Sequence, residues 1–264
     1  MINIDYIAGE KFQGLAEVAG IPNLIYCKAD DANALLMNPP HMEFVLITHN
    51  GDSNITDCPK RPHDADARLI PKNLKMWFGQ NVNVKHDRIQ SIPIGLENSE
   101  WFVEIDKRKL ITEAMLRTDA GYENMVYANF NINTNKLDRQ YAYDCVKNYK
   151  WCTPDMCVNG TDFKKYVNSI RNHAFVLCPD GNGIDTHRLW ETLYVGSIPI
   201  VKRSINTRFY EDLPILMVND WSEVKDTIFS IKPGEFKNRK WNLDKLWFQY
   251  WYDLIIKTCL NCEK

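Results

Sequence analysis

AFVLCPDGNGIDTHRLWETLYVGSIPIV, residues 174–201, opens with a short apolar run, Ala174 to Cys178, that Pro179 ends. Asp180-Gly181-Asn182-Gly183 is a cluster that reverses a backbone, so the stretch predicts a strand and then a tight loop. A helix over about 186–195 follows. Asp185 suits its N-cap, Leu189, Thr192 and Leu193 share a face at helical spacing, and Gly196 suits the left-handed residue past its end. Ser197 to Val201 then forms the next strand. Strand, loop, helix and strand make a βαβ unit, whose loop lies at the carboxyl end of the first strand, where open α/β sheets bind ligands.

Phosphate suits that position. The loop offers unobstructed N–H groups, the helix N-terminus adds partial positive charge, and His187 and Arg188 stand in the first turn. Arg188 and Glu191 are three apart and share a face. A guanidinium forked onto a diphosphate, with a carboxylate one turn deeper accepting from ribose hydroxyls, is what a nucleotide diphosphate requires. The alternative for this pair is a surface ion pair on an ordinary helix.

The pattern P-D-G-x-G-x-D-T-H-R-x-W-E-x-L-x-x-G-x-I-P-I-V, with its surroundings from about Val167 to Trp221, resembles the donor-site signature of exostosin-like glycosyltransferases, including related xylosyltransferases. A weaker echo lies in THNGD at 48–52 and in WFGQN through PIGLENSEW at 77–101. The resemblance implies the GT-B fold, two facing Rossmann-like domains, and an inverting, metal-independent transfer. The nucleotide sugar is then a co-substrate and no cofactor is needed. UDP-xylose is the first donor to try. The motif supplies Asp180, Gly181, Gly183, Asp185, Thr186, His187, Arg188 and Glu191 as donor-site candidates. In the family a loop after the first donor-domain strand also faces the sugar nucleotide, which adds Asn131, Thr134 and Arg139.

The chain has 264 residues, 45% of them hydrophobic, enough for one large or two small domains. With 32 basic and 34 acidic residues and no long basic run, nucleic acid is not its expected partner. Apolar stretches are only a handful of residues long, and MINIDYIAGEKF has neither a basic nor an apolar leader segment. A soluble, cytoplasmic protein is expected. The cysteines at 27, 58, 145, 152, 157, 178, 259 and 262 include Cys152-x4-Cys157 and Cys259-x2-Cys262, but the pairs lie far apart in sequence, and free thiols are expected instead of zinc. The sequons at Asn54 and Asn159 matter only in a secreted setting.

Ahead of the motif, residues 10–19 predict a helix, and Leu24 to Cys27, Phe44 to Thr48, Met76 to Phe78 and Ile89 to Ile94 predict strands. His49 to Ser53 is the polar loop after the most apolar of these. Asn54 to Asp66 reads as a surface loop that could cover a site, and its Asp64-Ala65-Asp66 is not a metal-binding D-x-D after a strand. Residues 104–117 predict a helix joining two halves, about 1–120 for the acceptor and 121–264 for the donor, with Gly121 at the boundary. Met125 to Ala128 predicts a strand, Lys136 to Lys147 and 162–172 helices, and Ile215 to Val218 a strand. Asp220 suits the N-cap of a helix ending near Pro233-Gly234. Leu243, Leu246, Trp247, Tyr250, Trp251 and Leu254 make one apolar stripe, expected to pack back onto the first half. Lys202-Arg203-Ser204 stands at another strand end and reads as a solvated basic turn, the alternative being a contact with phosphate or sugar.

An inverting transfer needs a general base from the half opposite the donor. Asp52 is the first candidate, His49 the second and Glu97 the third; Asn50, Glu97 and Asn98 are acceptor-binding candidates, the acceptor being a glycan hydroxyl. Two other classes compete. A non-catalytic carbohydrate- or nucleotide-binding module would hydrolyse no donor, and a Rossmann oxidoreductase would bind nicotinamide, although Gly181-x-Gly183 lacks that fingerprint's third glycine.

Overall fold

The computed structural model describes residues 5–101, 106–116, 121–156 and 162–261. Cys157, Cys262, the Asn159 sequon and residues 104, 105 and 117 of the expected joining helix lie outside the described residues. The protein is α/β, built on two wholly parallel sheets.

The chain enters through α1 (Gly9–Val18), β1 (Leu24–Lys28), α2 (Ala32–Met37), β2 (Phe44–His49) and a two-residue pair, β3 (Ile55–Thr56) with β4 (Ala65–Asp66). It continues through β5 (Leu74–Gly79), β6 (Ile89–Ser91) and α3 (Lys107–Met115). The first sheet has the order β1-β2-β5-β6. Every residue of β2 is buried, as a parallel strand covered on both faces requires.

The second series runs β7 (Asn124–Ala128), α4 (Lys136–Val146), β8 (Cys152–Pro154), α5 (Phe163–Asn172), β9 (His173–Leu177), α6 (His187–Val195), β10 (Ile198–Lys202), α7 (Ile205–Arg208) and β11 (Leu216–Val218). Then come α8 (Val224–Ser230), α9 (Pro233–Lys237) and α10 (Phe248–Asn261). The sheet order is β11-β10-β9-β7-β8. After β7 the chain steps outward to β8, then returns to the other side of β7 to lay down β9. The loops leaving β7 and β9 therefore diverge, and a crevice opens between them at the carboxyl ends.

Three expectations need correction. Asp185 does not cap α6: Thr186 holds that position, because the Asp185 carboxylate accepts hydrogen bonds from Ile94 and Trp190. The helix expected to end near Pro233 stops at Ser230, and Pro233 itself begins a second helix, α9, since its missing N–H costs nothing in a first turn. The stripe from Leu243 is not continuous helix. A 3₁₀ turn, Leu243–Leu246, precedes Trp247, which is extended and bridges antiparallel to Tyr6 before α10 starts. The Gly196 expectation holds; its φ of 91° is the left-handed turn that ends α6.

One buried apolar cluster includes Phe12 and Ile47 as well as Val176, Trp190 and Trp251, so residues of both sheets share a core. Phe248 of α10 meets Phe12 of α1 edge-on at 5.2 Å. Tyr194 of α6 ties three segments together, accepting from the Ile7 N–H at 3.2 Å and donating to the Leu246 carbonyl at 2.7 Å. Among the described residues no helix is long and apolar enough to cross a membrane. Tyr194→Phe leaves a buried donor and a buried acceptor without their partner, so we expect urea denaturation to give a loss of about 2–4 kcal/mol. A loss below about 0.5 kcal/mol would remove Tyr194 as the tie.

Candidate functional site

Two adjoining cavities lie where the carboxyl-end loops of the two sheets meet. One, of about 340 Å³, is lined largely from the second sheet, by Asn129, Thr134, Arg139, Gly181, Gly183, Asp185, Thr186, His187, Arg188 and Glu191. The other, of about 660 Å³, is lined largely from the first, by residues including His49, Asn50, Asp52, Gln80, Asn98 and Trp101. Asp52, Ile94, Glu97 and His187 line both and mark their junction.

The loop between β9 and α6 is held from two sides. Arg139 of α4 is buried, and donates through Nε to the Asp180 carbonyl and through a terminal nitrogen to the Asn131 carbonyl, each at 2.8 Å. It thus pins both edges of the crevice. From the other sheet, Asn81 accepts from the Asp185 N–H at 2.9 Å. A Cβ on Gly183 would come within 2.6 Å of the Asn81 amide, so glycine at this position lets the two halves approach. Arg61 bridges the rim, donating to the Asn182 carbonyl at 2.7 Å and the Asp52 carbonyl at 2.6 Å. Asp64 steadies Arg61 and accepts from the N–H groups of Asn54, Lys60 and Arg61.

Asp185 makes the central tie. Its carboxylate, 4% exposed, accepts from the Ile94 N–H at 2.8 Å and the Trp190 indole N–H at 3.0 Å. Beside it, His187 Nδ1 lies 2.8 Å from the Gly95 carbonyl, so that nitrogen carries the proton and Nε2 keeps its lone pair. Asp185 lines the cavity, but its oxygens bond protein donors.

Arg188 differs from Arg139 and Lys107, the other cations lining the smaller cavity. Its Cζ sits 5.9 Å from the centroids of both Phe130 and Tyr166, and its guanidinium makes no hydrogen bond or ion pair with any described residue. Its Nε is buried without an acceptor. No ion pair joins it to Glu191, whose Oε2 instead accepts from the Tyr166 hydroxyl at 2.7 Å. The surface ion pair is therefore not formed. Burial disfavours the Arg188 charge, but Tyr166, Cys178 and Glu191 around it carry its pKa upward overall. Arg139 lies 5.9 Å from the same Phe130 ring, and burial together with Arg188 lowers its pKa to about 10. Two guanidinium groups thus share one aromatic face. Asp180, behind the loop, is pushed up to about 7 by burial and by Asp138.

The remaining candidates divide. Thr134 lines the smaller cavity, whereas the Asn131 side-chain oxygen accepts from the Asn133 N–H and caps a 3₁₀ turn, and Asn131 lies outside that cavity's lining. His49 is also corrected. It is 1% exposed, Nε2 donates to the Pro93 carbonyl at 3.0 Å, Nδ1 accepts from the Asn50 N–H at 2.8 Å, and burial lowers its pKa to about 4. Neither nitrogen is left to take a proton. Glu97 is paired with Lys107. Asp52 is exposed and its carboxylate bonds no described residue. Asn50 and Asn98 line the larger cavity and bond each other at 3.1 Å. Asn129, Phe163 and Tyr166 line the smaller cavity without having been expected there. Tyr166 and Phe163 read as the apolar face of an amphipathic helix, and only tertiary placement turns that face toward the cleft. Lys202 pairs with Asp138 at 2.5 Å, away from the cavity lining. No group of three or more His, Cys, Asp or Glu side chains among the described residues converges to hold a metal ion.

No family model and no curated protein matches this chain. Among solved structures, the N-terminal domain of Candida albicans trehalose-6-phosphate phosphatase aligns over 96% of this chain and 73% of its own, at a TM-score of 0.48 and 10% identity.

Burial pushes the pKa of Asp185 from the ordinary 3.8 up to about 6. Its protonated form is thus favoured by folding, and the resulting stability is present below pH 4 and lost as pH rises through 6. Relative to Asp185→Asn, the parent should lose roughly 3 kcal/mol between pH 4 and pH 7, at about 1.36 kcal/mol per pKa unit. Denaturation curves of both proteins at several pH values measure this; a gap constant with pH would show that Asp185 ionises freely.

Proposed function

We propose that this protein is an inverting glycosyltransferase of GT-B architecture that moves a sugar from a nucleotide diphosphate donor, a UDP-sugar such as UDP-xylose, to a glycan hydroxyl. The observation that carries the reading is Arg188, a half-buried cation in a cleft whose guanidinium makes no hydrogen bond or ion pair with any described residue. Arg139 beside it and the N-terminus of α6 add positive charge, so the smaller cavity suits a diphosphate. Glu191 lies one turn deeper, where the ribose of such a donor would reach it.

In this reading the sugar sits at the junction of the cavities and the acceptor enters through the larger one. The acceptor hydroxyl attacks the anomeric carbon, Asp52 takes its proton, and the nucleotide diphosphate leaves with both bonding electrons. His187 Nε2, at the same junction, is the second group able to take that proton. Negative charge grows on the leaving diphosphate, where Arg188 stabilises it more in the transition state than in the ground state.

Arg188→Ala should therefore lower kcat by on the order of a hundredfold while KM for the donor rises less. Arg188→Lys keeps the charge but loses the planar fork and should restore only part of the rate. A kcat within a few-fold of the parent in folded Arg188→Ala would sink the catalytic role. A carboxylate on the ribose makes a separate demand: Glu191→Gln should weaken UDP binding by about 1–3 kcal/mol in calorimetry. Equal affinity in parent and variant removes Glu191 from the nucleotide site.

A further inference from the structure

The larger cavity holds information about what enters it. Its volume of about 660 Å³ lies within the roughly 300–1,000 Å³ of small-molecule sites.

Trp101 stands at the rim, 64% exposed, in the 3₁₀ turn Ser99–Trp101. The turn is anchored: Trp101 N–H donates to the Asn98 carbonyl at 3.1 Å, and Glu10 accepts from the Ser99 N–H at 2.7 Å and its hydroxyl at 2.9 Å. Glu10 is itself paired with Arg108 at 2.8 Å. An indole carried on an anchored turn and open to solvent offers an apolar face to the C–H side of a sugar ring.

Charge then selects among sugars. Asp30, Asp52, Glu97 and Glu100 line this cavity against Lys28, and Glu97 is already neutralised by Lys107. A ligand carboxylate or sulfate would meet repulsion from the other three carboxylates.

We propose that the larger cavity is an acceptor site for uncharged carbohydrate chains, with a sugar ring on Trp101, and that its acidic lining rejects uronate- and sulfate-bearing chains. This rests on the glycosyltransferase reading for the word acceptor, but not for the binding itself. The test uses the labelled full chain on an array of matched neutral, uronate-bearing and sulfated glycans, with UDP affinity measured in parallel.

Neutral glycans should bind at least about tenfold better than their anionic counterparts. Trp101→Ala, an exposed change that spares the core, should reduce their binding about tenfold and leave UDP affinity unchanged. Glu100→Lys should narrow the neutral preference at least about threefold. Preference for anionic glycans, indifference to Trp101→Ala, or UDP binding with no glycan bound would each overturn the proposal. Glycan binding of the expected kind without UDP binding supports it and instead defeats the donor reading.

Discussion

Everything at this site depends on a carboxylate whose oxygens are taken by donors of the protein itself. Asp185 is the one side chain of the β9–α6 loop bonded to both sheets' segments, to the Ile94 N–H across the cleft and to Trp190 within its own helix. Its backbone N–H donates to Asn81 in turn. Removing a carboxylate from water costs several kcal/mol, and the rise of its pKa to about 6 is the trace of that cost. In return the loop cannot shift relative to the Ile94–Gly95 segment. With those two segments fixed, His187 and Asp52 are brought to one junction, and the Arg188 side chain is delivered into the cleft instead of onto a surface.

Much of the fold was legible because its strands are short apolar runs ended by turn formers. Phe44–His49 and His173–Leu177 were visible as buried strands within a residue of their observed ends. The helix of residues 136–146 and the left-handed Gly196 were legible from periodicity and glycine chemistry. What escaped was decided elsewhere in the chain. Trp247 lies in an unbroken apolar stripe, yet Tyr6, some 240 positions earlier, draws it into an extended bridge. Cys152–Pro154 forms a strand of only three residues with two of them exposed, too little pattern to read.

The site divided in the same way. Arg188, Glu191, Thr134 and Asp52 carry their chemistry on polar side chains in loops or helix starts, and local sequence marks such positions. His49 has the right chemistry in the right loop, but stacking on Phe12 at 5.1 Å and bonds at both nitrogens make it part of the core. No single-chain pattern separates a catalytic from a satisfied histidine, because the difference lies in what surrounds it. Asn131 and Asp185 went the same way, their oxygens taken by backbone N–H groups.

Arg139 and Arg188 share the Phe130 ring and still have different parts to play. Both of Arg139's bonds go to carbonyls at the edges of the crevice, so its position is set with or without a ligand. Arg188 has no such partner. Although burial and its neighbour lower Arg139's proton affinity, its pKa of about 10 keeps it charged at neutral pH, so the two positive charges persist side by side. Phe130's π face offsets part of that repulsion, at about 0.5–2 kcal/mol for a contact of this kind, and the Tyr166 ring adds to it on Arg188's free side. Glu191 near Arg188, and Asp180 and Asp138 near Arg139, offset more of it, and the Arg188 pKa is raised overall. Any anion whose oxygens bridged both guanidinium groups would relieve more of the rest than a single carboxylate. The two cations thus stay charged side by side, Arg139 as a fixed brace of the loop and Arg188 with its bonding capacity turned toward the smaller cavity.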